Sequence, residues 1–403
     1  MASRTACGAA VAGFLLAAAL GGCSGPQVHV AQPQVPALPA GFMERVPLAV
    51  SVAFPAAFAT AQPETSFAFL GETYITRHAI GAAAETTLRA VLERAFVGGP
   101  GKENEPADPA ALLVAGMPTM ASEMLPDALV VNFRQSITFP FELRSPAGAA
   151  LANWQVTGRV ATGLYASWFT AQTNTDAAML RNAAAALAAS LGREPVLTAL
   201  VAQGASAVAR ARGVPRVIAG RGVALLRLDA GLAHGDALEA RVGKCLADVL
   251  PTPRGLPGAN IPGALRDAMF PWFDPFVMPL DAPAIADLLG RATVQERLEA
   301  LGVSHLVLLT VHEGERVTDD RMACAAGFNA GACVGYYEAK RGYAIEAAVW
   351  DAGVGRLLGA SRAAVTRTFG ALGALIPIPF TSSDEVESCT RLRDFVSRSL
   401  PAH

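Results

Sequence analysis

The chain has 403 residues, 52% of them hydrophobic and 16% charged; at roughly 100–200 residues per domain this argues for two domains, and the apolar content excludes an intrinsically disordered chain. Thirty-two basic residues against thirty-four acidic ones leave a formal charge of -2. With no surplus of Lys and Arg to neutralise phosphates, composition argues against a dedicated nucleic-acid binder.

The N-terminus carries Arg4, an uncharged stretch from Gly8 to Leu20, and then Leu20-Gly21-Gly22-Cys23. The stretch is too short to cross a bilayer as a permanent helix and suits the h-region of a signal peptide. Leu20-Gly21-Gly22-Cys23 resembles the lipobox of bacterial lipoproteins. The resemblance implies removal of residues 1–22 and a mature chain that begins at an acylated, palmitate-bearing Cys23. Each buried acyl CH₂ contributes about 0.8 kcal/mol, so two or three chains hold a folded domain on a membrane. Ser24, in place of Asp, implies by the same resemblance an outer-membrane destination facing the periplasm. No later hydrophobic stretch approaches the ~20 residues of a membrane-spanning helix; Phe369 to Phe380 is short and contains Pro377 and Pro379.

After Cys23, Ser24-Gly25-Pro26 and then Pro33, Pro36 and Pro39 read as an extended tether, assigned to 23–44, whose Pro-rich part from Ser24 to Gly41 reaches on the order of 50 Å at ~3.1 Å per residue. An N-terminal α+β domain is expected over 45–212 and a C-terminal α/β domain over 213–403. In the first, Leu48 to Phe54 alternates as a strand. Residues 77–94 place Ile80, Ala84, Leu88, Val91 and Leu92 at helical spacing. Ala128–Phe133, Ile137–Leu143 and Leu151–Val160 read as an antiparallel meander, and an Ala-rich helix follows over 176–191, capped by Asn174 or Thr175, with a second helical segment through Ala209.

Gly213-Val214-Pro215 and Gly220-Arg221-Gly222 mark the boundary. The second half opens with a strand over 223–228. Asp236-Ala237-Leu238-Glu239 forms a capping box for a helix bearing Leu238, Val242, Cys245, Leu246 and Val249. Helices over 282–290 and 294–301 precede Val303–Val311, whose near-continuous apolar character predicts a strand buried on both faces. Tyr343–Trp350 and Arg356–Arg367 form a hairpin. A last helix, capped by Ser382 with Glu385, presents Val386, Cys389, Leu392, Val396 and Leu400 on one face. The fold class is thus α/β or α+β, with two small mixed-sheet domains whose helices pack on partly antiparallel sheets. The element order of the second half resembles the small α/β domains of periplasmic assembly proteins, such as the N-terminal domain of the TolB translocation protein and the curli-secretion lipoprotein CsgG.

Without Cys7 and Cys23, four cysteines remain, and four cysteines allow three pairings. Cys324 and Cys333 bracket a loop able to fold back on itself, while Cys245 and Cys389 each sit on the apolar stripe of a helix, which favours 324–333 with 245–389. A zinc site is the alternative, but the spacing lacks a Cys-x-x-Cys pair. His305 and His312 stand an odd number of residues apart on one strand and so point to opposite faces. His312 with Glu313 and Glu315 is an acid/base candidate set against a plain strand end, and Asp319 and Asp320 read as turn residues. Gly98-Gly99-Pro100-Gly101-Lys102 lacks the remaining P-loop positions, Gly353-x-Gly355 sits at a hairpin turn, and Gly204-Ala205-Ser206-Ala207 fails the nucleophile elbow at Val208.

Two aromatic clusters stand out, one with Phe270, Trp272, Phe273 and Phe276, the other with Tyr165, Trp168 and Phe169. Such segments either lid their own core or supply large contact area to a protein interface or a lipid surface. The expectation is a membrane-anchored periplasmic lipoprotein that works by binding, as an accessory or scaffold of an envelope assembly or transport complex. Its partners are the membrane, through the N-terminal lipid, and an envelope protein, with no nucleic acid, cofactor, metal or catalytic residue called for. The alternative is an envelope hydrolase or a small-ligand binding lipoprotein with a site between the domains.

Overall fold

The computed structural model describes residues 27–39, 45–69, 72–96, 109–126, 131–163, 168–204, 222–228, 242–246, 250, 261–274, 277–279, 281–327, 330–373, 378–383 and 385–400. The fold is mixed α/β with several mixed sheets.

In the first half, β1 (Gln27–Ala31), β3 (Glu64–Phe69) and β4 (Glu72–His78) form a three-stranded sheet in the order β1-β4-β3, with β1 parallel and β3 antiparallel to β4. The segment expected to be tether is therefore folded in part. Proline-rich backbone is already extended, so Val28-His29-Val30-Ala31 needs only the open edge of β4 to pair. Beyond it Leu38 packs against the core, and Arg94 Nη1 donates to the Pro39 carbonyl at 2.8 Å.

The second sheet contains β2 (Val50–Ala53), β5 (Ala111–Ala115), β6 (Thr119–Pro126), β7 (Val131–Arg144) and β8 (Ala150–Gly163). Two strand-like runs of the expected meander are one strand, β7, whose side chains from Phe133 to Leu143 alternate buried and half-buried. β5 and β6 pair end to end along one edge of β7, and β8 pairs along the other. Pro140, which has no N–H to give a ladder, lies where β5 hands over to β6, and its carbonyl accepts from Gly116 at 2.7 Å.

Helix α1 (Gly81–Ala95) buries Ala84, Leu88, Val91 and Leu92, the stripe its periodicity predicted. Helix α2 (Trp168–Leu191) starts before the expected cap, so Asn174 and Thr175 lie inside it. It lies so close on β8 that a Cβ on Gly158 would stand 2.7 Å from the Ala183 backbone nitrogen. Helix α3 (Pro195–Gly204) follows.

In the second half, β9 (Gly222–Leu228), β10 (Val303–Gly327), β11 (Ala330–Asp351), β12 (Arg356–Gly373) and β13 (Ile378–Ser383) form one sheet in the order β13-β12-β11-β10-β9. β9 runs parallel to β10 and the other pairings are antiparallel. The inner part of β10 is buried on both faces, as its apolar run implied. Leu306 and Leu308 enter one core with α4 (Ile261–Ala268), α5 (Ala282–Leu289) and α6 (Ala292–Ala300). Val307, Leu309 and Val311 enter another with Val242, Leu246 and, from α7 (Glu385–Ser399), Leu392 and Val396. The disulfide Cys245–Cys389 ties the helical segment 242–246 to α7 within that second layer. Val386, expected on the same face, is 81% exposed. Ser382, expected as the helix cap, is a β13 residue in register with Thr368.

The first of these cores continues from Val46 through Leu197 into Ala224 and on to Ala352. At the junction Trp272 lies beneath the Arg291 guanidinium, 4.6 Å from its ring centroid, and Arg193 at 5.5 Å.

Candidate functional site

One buried polar constellation among the described residues was not visible in the sequence. β4 alternates so that Thr76 and His78 face inward, and His78 meets Asp176 from α2 and Thr65 from β3. The His78 Nδ1–H donates to Asp176 Oδ1 and Oδ2 at 2.9 and 3.0 Å, and Nε2 stands 2.8 Å from Thr65 Oγ1. Burial pushes the Asp176 carboxyl above the usual carboxylate range, against the pull of the His78 hydrogen bonds and the nearby His29 charge. Hydroxyl, imidazole and carboxylate stand in the order used for nucleophilic catalysis. His78 is 0% exposed, Asp176 1% and Thr65 7%, and neither of the two clefts described below reaches them, so this is an internal tie between sheet and helix. A lone histidine in one segment and an aspartate inside a helix 98 residues away share no sequence motif.

Two open clefts accompany it. One of about 330 Å³ is lined by Val114, Gly116, Pro140 and the stacked pair Phe141 and Trp154, with Glu142 beside them. Arg144, hydrogen-bonded to Glu142, holds that carboxyl below its ordinary range. The other, of about 420 Å³, lies between Pro36–Pro39, α2 and Asp267 of α4. Its charged groups satisfy one another, since Arg181 Nη2 donates to Asp267 Oδ1 at 2.7 Å.

The sequence-derived candidates fall elsewhere. Phe270, Trp272 and Phe273 are each 1% exposed and belong to the core, so they offer no surface to a partner; the Trp272 indole lies against Gly192, Arg193 and Arg291. Trp168 and Phe169 begin α2, and their side chains, like Tyr165, Phe276, Cys23 and the signal segment 1–22, lie outside the described residues. So do Gly98–Lys102, the capping box 236–239 and the boundary at 213–221.

His312 Nε2 is 3.8 Å from Glu346 Oε2, with the side chains 43% and 41% exposed. Neither cleft includes that pair. Burial pulls His305 below its ordinary range, partly opposed by Asp351. Among the described residues no group of three His, Cys, Asp or Glu side chains is placed to hold a metal ion, and no single helix is long and apolar enough to cross a membrane.

The largest departure from expectation is the excursion after His312, which is strand. Asp319 and Asp320, expected in a turn, are in register with Glu338 and Tyr337, and Cys324 is in register with Cys333. β9 pairs with β10 only as far as Thr310, whereas β10 and β11 remain paired from Arg316 and Arg341 to Gly327 and Ala330. At ~3.4 Å per residue, the stretch from Arg316 to Gly327 is about 40 Å long. β12 and β13 accompany its basal part. Residues 322–327, 330–337, 368–373 and 378–383 of this arm contain no charged side chain.

No protein-family model matches the chain, and no curated protein matches it. Among solved structures it is similar to a DUF330-family protein from Xanthomonas campestris, at 13% identity and a TM-score of 0.30, over 43% of this chain and 99% of that one. A minor lipoprotein from Acinetobacter baumannii is 12% identical with a TM-score of 0.24, over 37% of this chain and 93% of that one. A Caulobacter crescentus CB15 protein named as a lipoprotein is 11% identical with a TM-score of 0.23, over 39% and 94%.

Proposed function

We propose that the protein is a bacterial lipoprotein, acylated at Cys23 and held at the periplasmic face of the outer membrane, that works by binding as an accessory or scaffold of an envelope assembly or transport complex. The lipobox Leu20-Gly21-Gly22-Cys23 supports the anchor. The arm carries the binding reading. Past Thr310, β10 has no strand on its outer side among the described residues, and Val317 on that edge is 55% exposed. An open strand edge is a template for an added strand, with main-chain hydrogen bonds giving affinity and alternate side chains giving selectivity.

The anchor is tested by Cys23→Ala, which is expected to release the protein from membranes; persistence in the membrane fraction overturns it. For the partner, a photo-crosslinking residue at Val317 is expected to capture one protein of an envelope assembly or transport complex in living cells. The same residue at Leu357, which is 40% exposed at the start of β12, is expected to capture none. Equal capture at both positions, or none at Val317, overturns the arm as the binding element.

A further inference from the structure

We infer that the end of the β1-β4-β3 sheet from which the chain leaves for Cys23 docks on the lipid bilayer, so that the body rests on the membrane instead of standing off on a stalk. The inference rests on the acylation of Cys23 proposed above. Only Ser24, Gly25 and Pro26 separate Cys23 from Gln27, the first residue of β1. At about 3.6 Å per residue, this link spans no more than about 14 Å even when fully extended. Since the acyl chains lie in the hydrocarbon, the start of β1 is confined to the headgroup region or just above it.

What the sheet presents at that end follows from register. β1 is parallel to β4 with Gln27 opposite Tyr74, and β3 returns antiparallel with Phe67 opposite Tyr74 and Phe69 opposite Glu72. The end of β3 and the start of β4 therefore lie beside the start of β1, which places positions Phe67, Phe69 and Tyr74 at the same end. On β1 itself Val28, next to Gln27 at that end, is 50% exposed, on an edge strand where a polar residue would be cheaper in water. Charge is displaced to the opposite end, where Arg77 Nε and Glu64 Oε1 pair at 2.6 Å in register with Val30. Glu72, in register with Phe69, is the one charged position at that end; amphipathic and aromatic residues concentrate at the membrane interface.

The test uses the full acylated chain in vesicles of phosphatidylethanolamine and phosphatidylglycerol whose acyl chains carry bromine near the headgroup. Tryptophan is introduced as Val28→Trp, as Phe69→Trp and, in the second half, as Leu357→Trp, and each signal is read against the parent protein. With an apolar face about 5–10 Å deep in the interface, the first two are expected to be quenched about twofold and Leu357→Trp not at all. Co-flotation is measured on the same samples. Protein that floats while Val28→Trp and Phe69→Trp are quenched no more than Leu357→Trp overturns the docking face and leaves the anchor standing; that outcome assigns the apolar end to a protein partner. Protein that does not float overturns both.

Discussion

The His78 imidazole and the Asp176 carboxylate are bonded to each other with neither side chain exposed to solvent. The pair joins β4 to α2 across the interior of the first half, and Thr65 completes the chain. Its energetics follow from what removal leaves behind. Asp176→Ala strands a buried imidazole N–H, and leaving a buried donor without its acceptor costs about 1–3 kcal/mol. Asp176→Asn retains an acceptor for Nδ1–H and is expected to cost less. Urea unfolding of the three proteins checks the order, and equal midpoints for wild type and Asp176→Ala would remove the tie from the account of stability.

The disulfide Cys245–Cys389 closes a separation of 144 residues. For a loop of that length the chain-entropy model gives about 5 kcal/mol, while measured native disulfides more often contribute about 2–4 kcal/mol. Cys389→Ser is therefore expected to lower the unfolding midpoint of oxidised protein and to abolish its sensitivity to reductant at this site. Alkylation of denatured, unreduced protein is expected to label neither Cys245 nor Cys389, and quantitative labelling of both contradicts the bond.

At Gly158 the backbone of α2 approaches β8 so closely that an added methyl group would collide with the Met179 carbonyl and the Ala183 nitrogen. Both atoms are main chain, so relief requires α2 to move as a whole. Overpacking ordinarily costs about 1–3 kcal/mol, and Gly158→Ala is expected at or above the top of that range. A melting temperature equal to that of wild type would show that α2 does not rest on β8.

Periodicity made the regular core legible. The α1 stripe from Ile80 to Leu92, the two-sided burial of Val303–Val311, the helix pair before β10 and the hairpin around Asp351 all rest on local patterns, and the structure contains each of them. In that hairpin Asp351 Oδ1 accepts from the Gly353 nitrogen, and Gly355 has φ 63°, a conformation that favours glycine. Long-range facts were not legible. β1 is a strand only because β4 offers an edge, and the polar residues from Glu313 to Arg321 read as loop although strand pairing extends through most of them. The aromatic segment around Trp272 gave its hydrophobicity but not its direction; it is inside because Gly192 leaves room for the indole, with 3.1 Å between the position of a Cβ there and the ring. His78 and Asp176 carry no mutual signal, since each is an ordinary residue of its own element.

His305 gives the clearest dependence on pH. It precedes Leu306 in β10, its Nδ1 lies 2.9 Å from Ser304 Oγ, and its register partner is Asp351. Burial lowers its affinity for a proton, and the Asp351 charge opposes this only in part. The unfolded chain, with an ordinary histidine pKa of about 6.5, therefore binds the proton more readily than the folded one. Stability from this residue is complete above that value and is lost as pH falls from it toward the lower folded pKa. His305→Gln removes the titration, so its urea midpoint is expected to fall less than that of wild type between about pH 7.5 and pH 5. Parallel declines in the two proteins would assign the acid sensitivity to other groups.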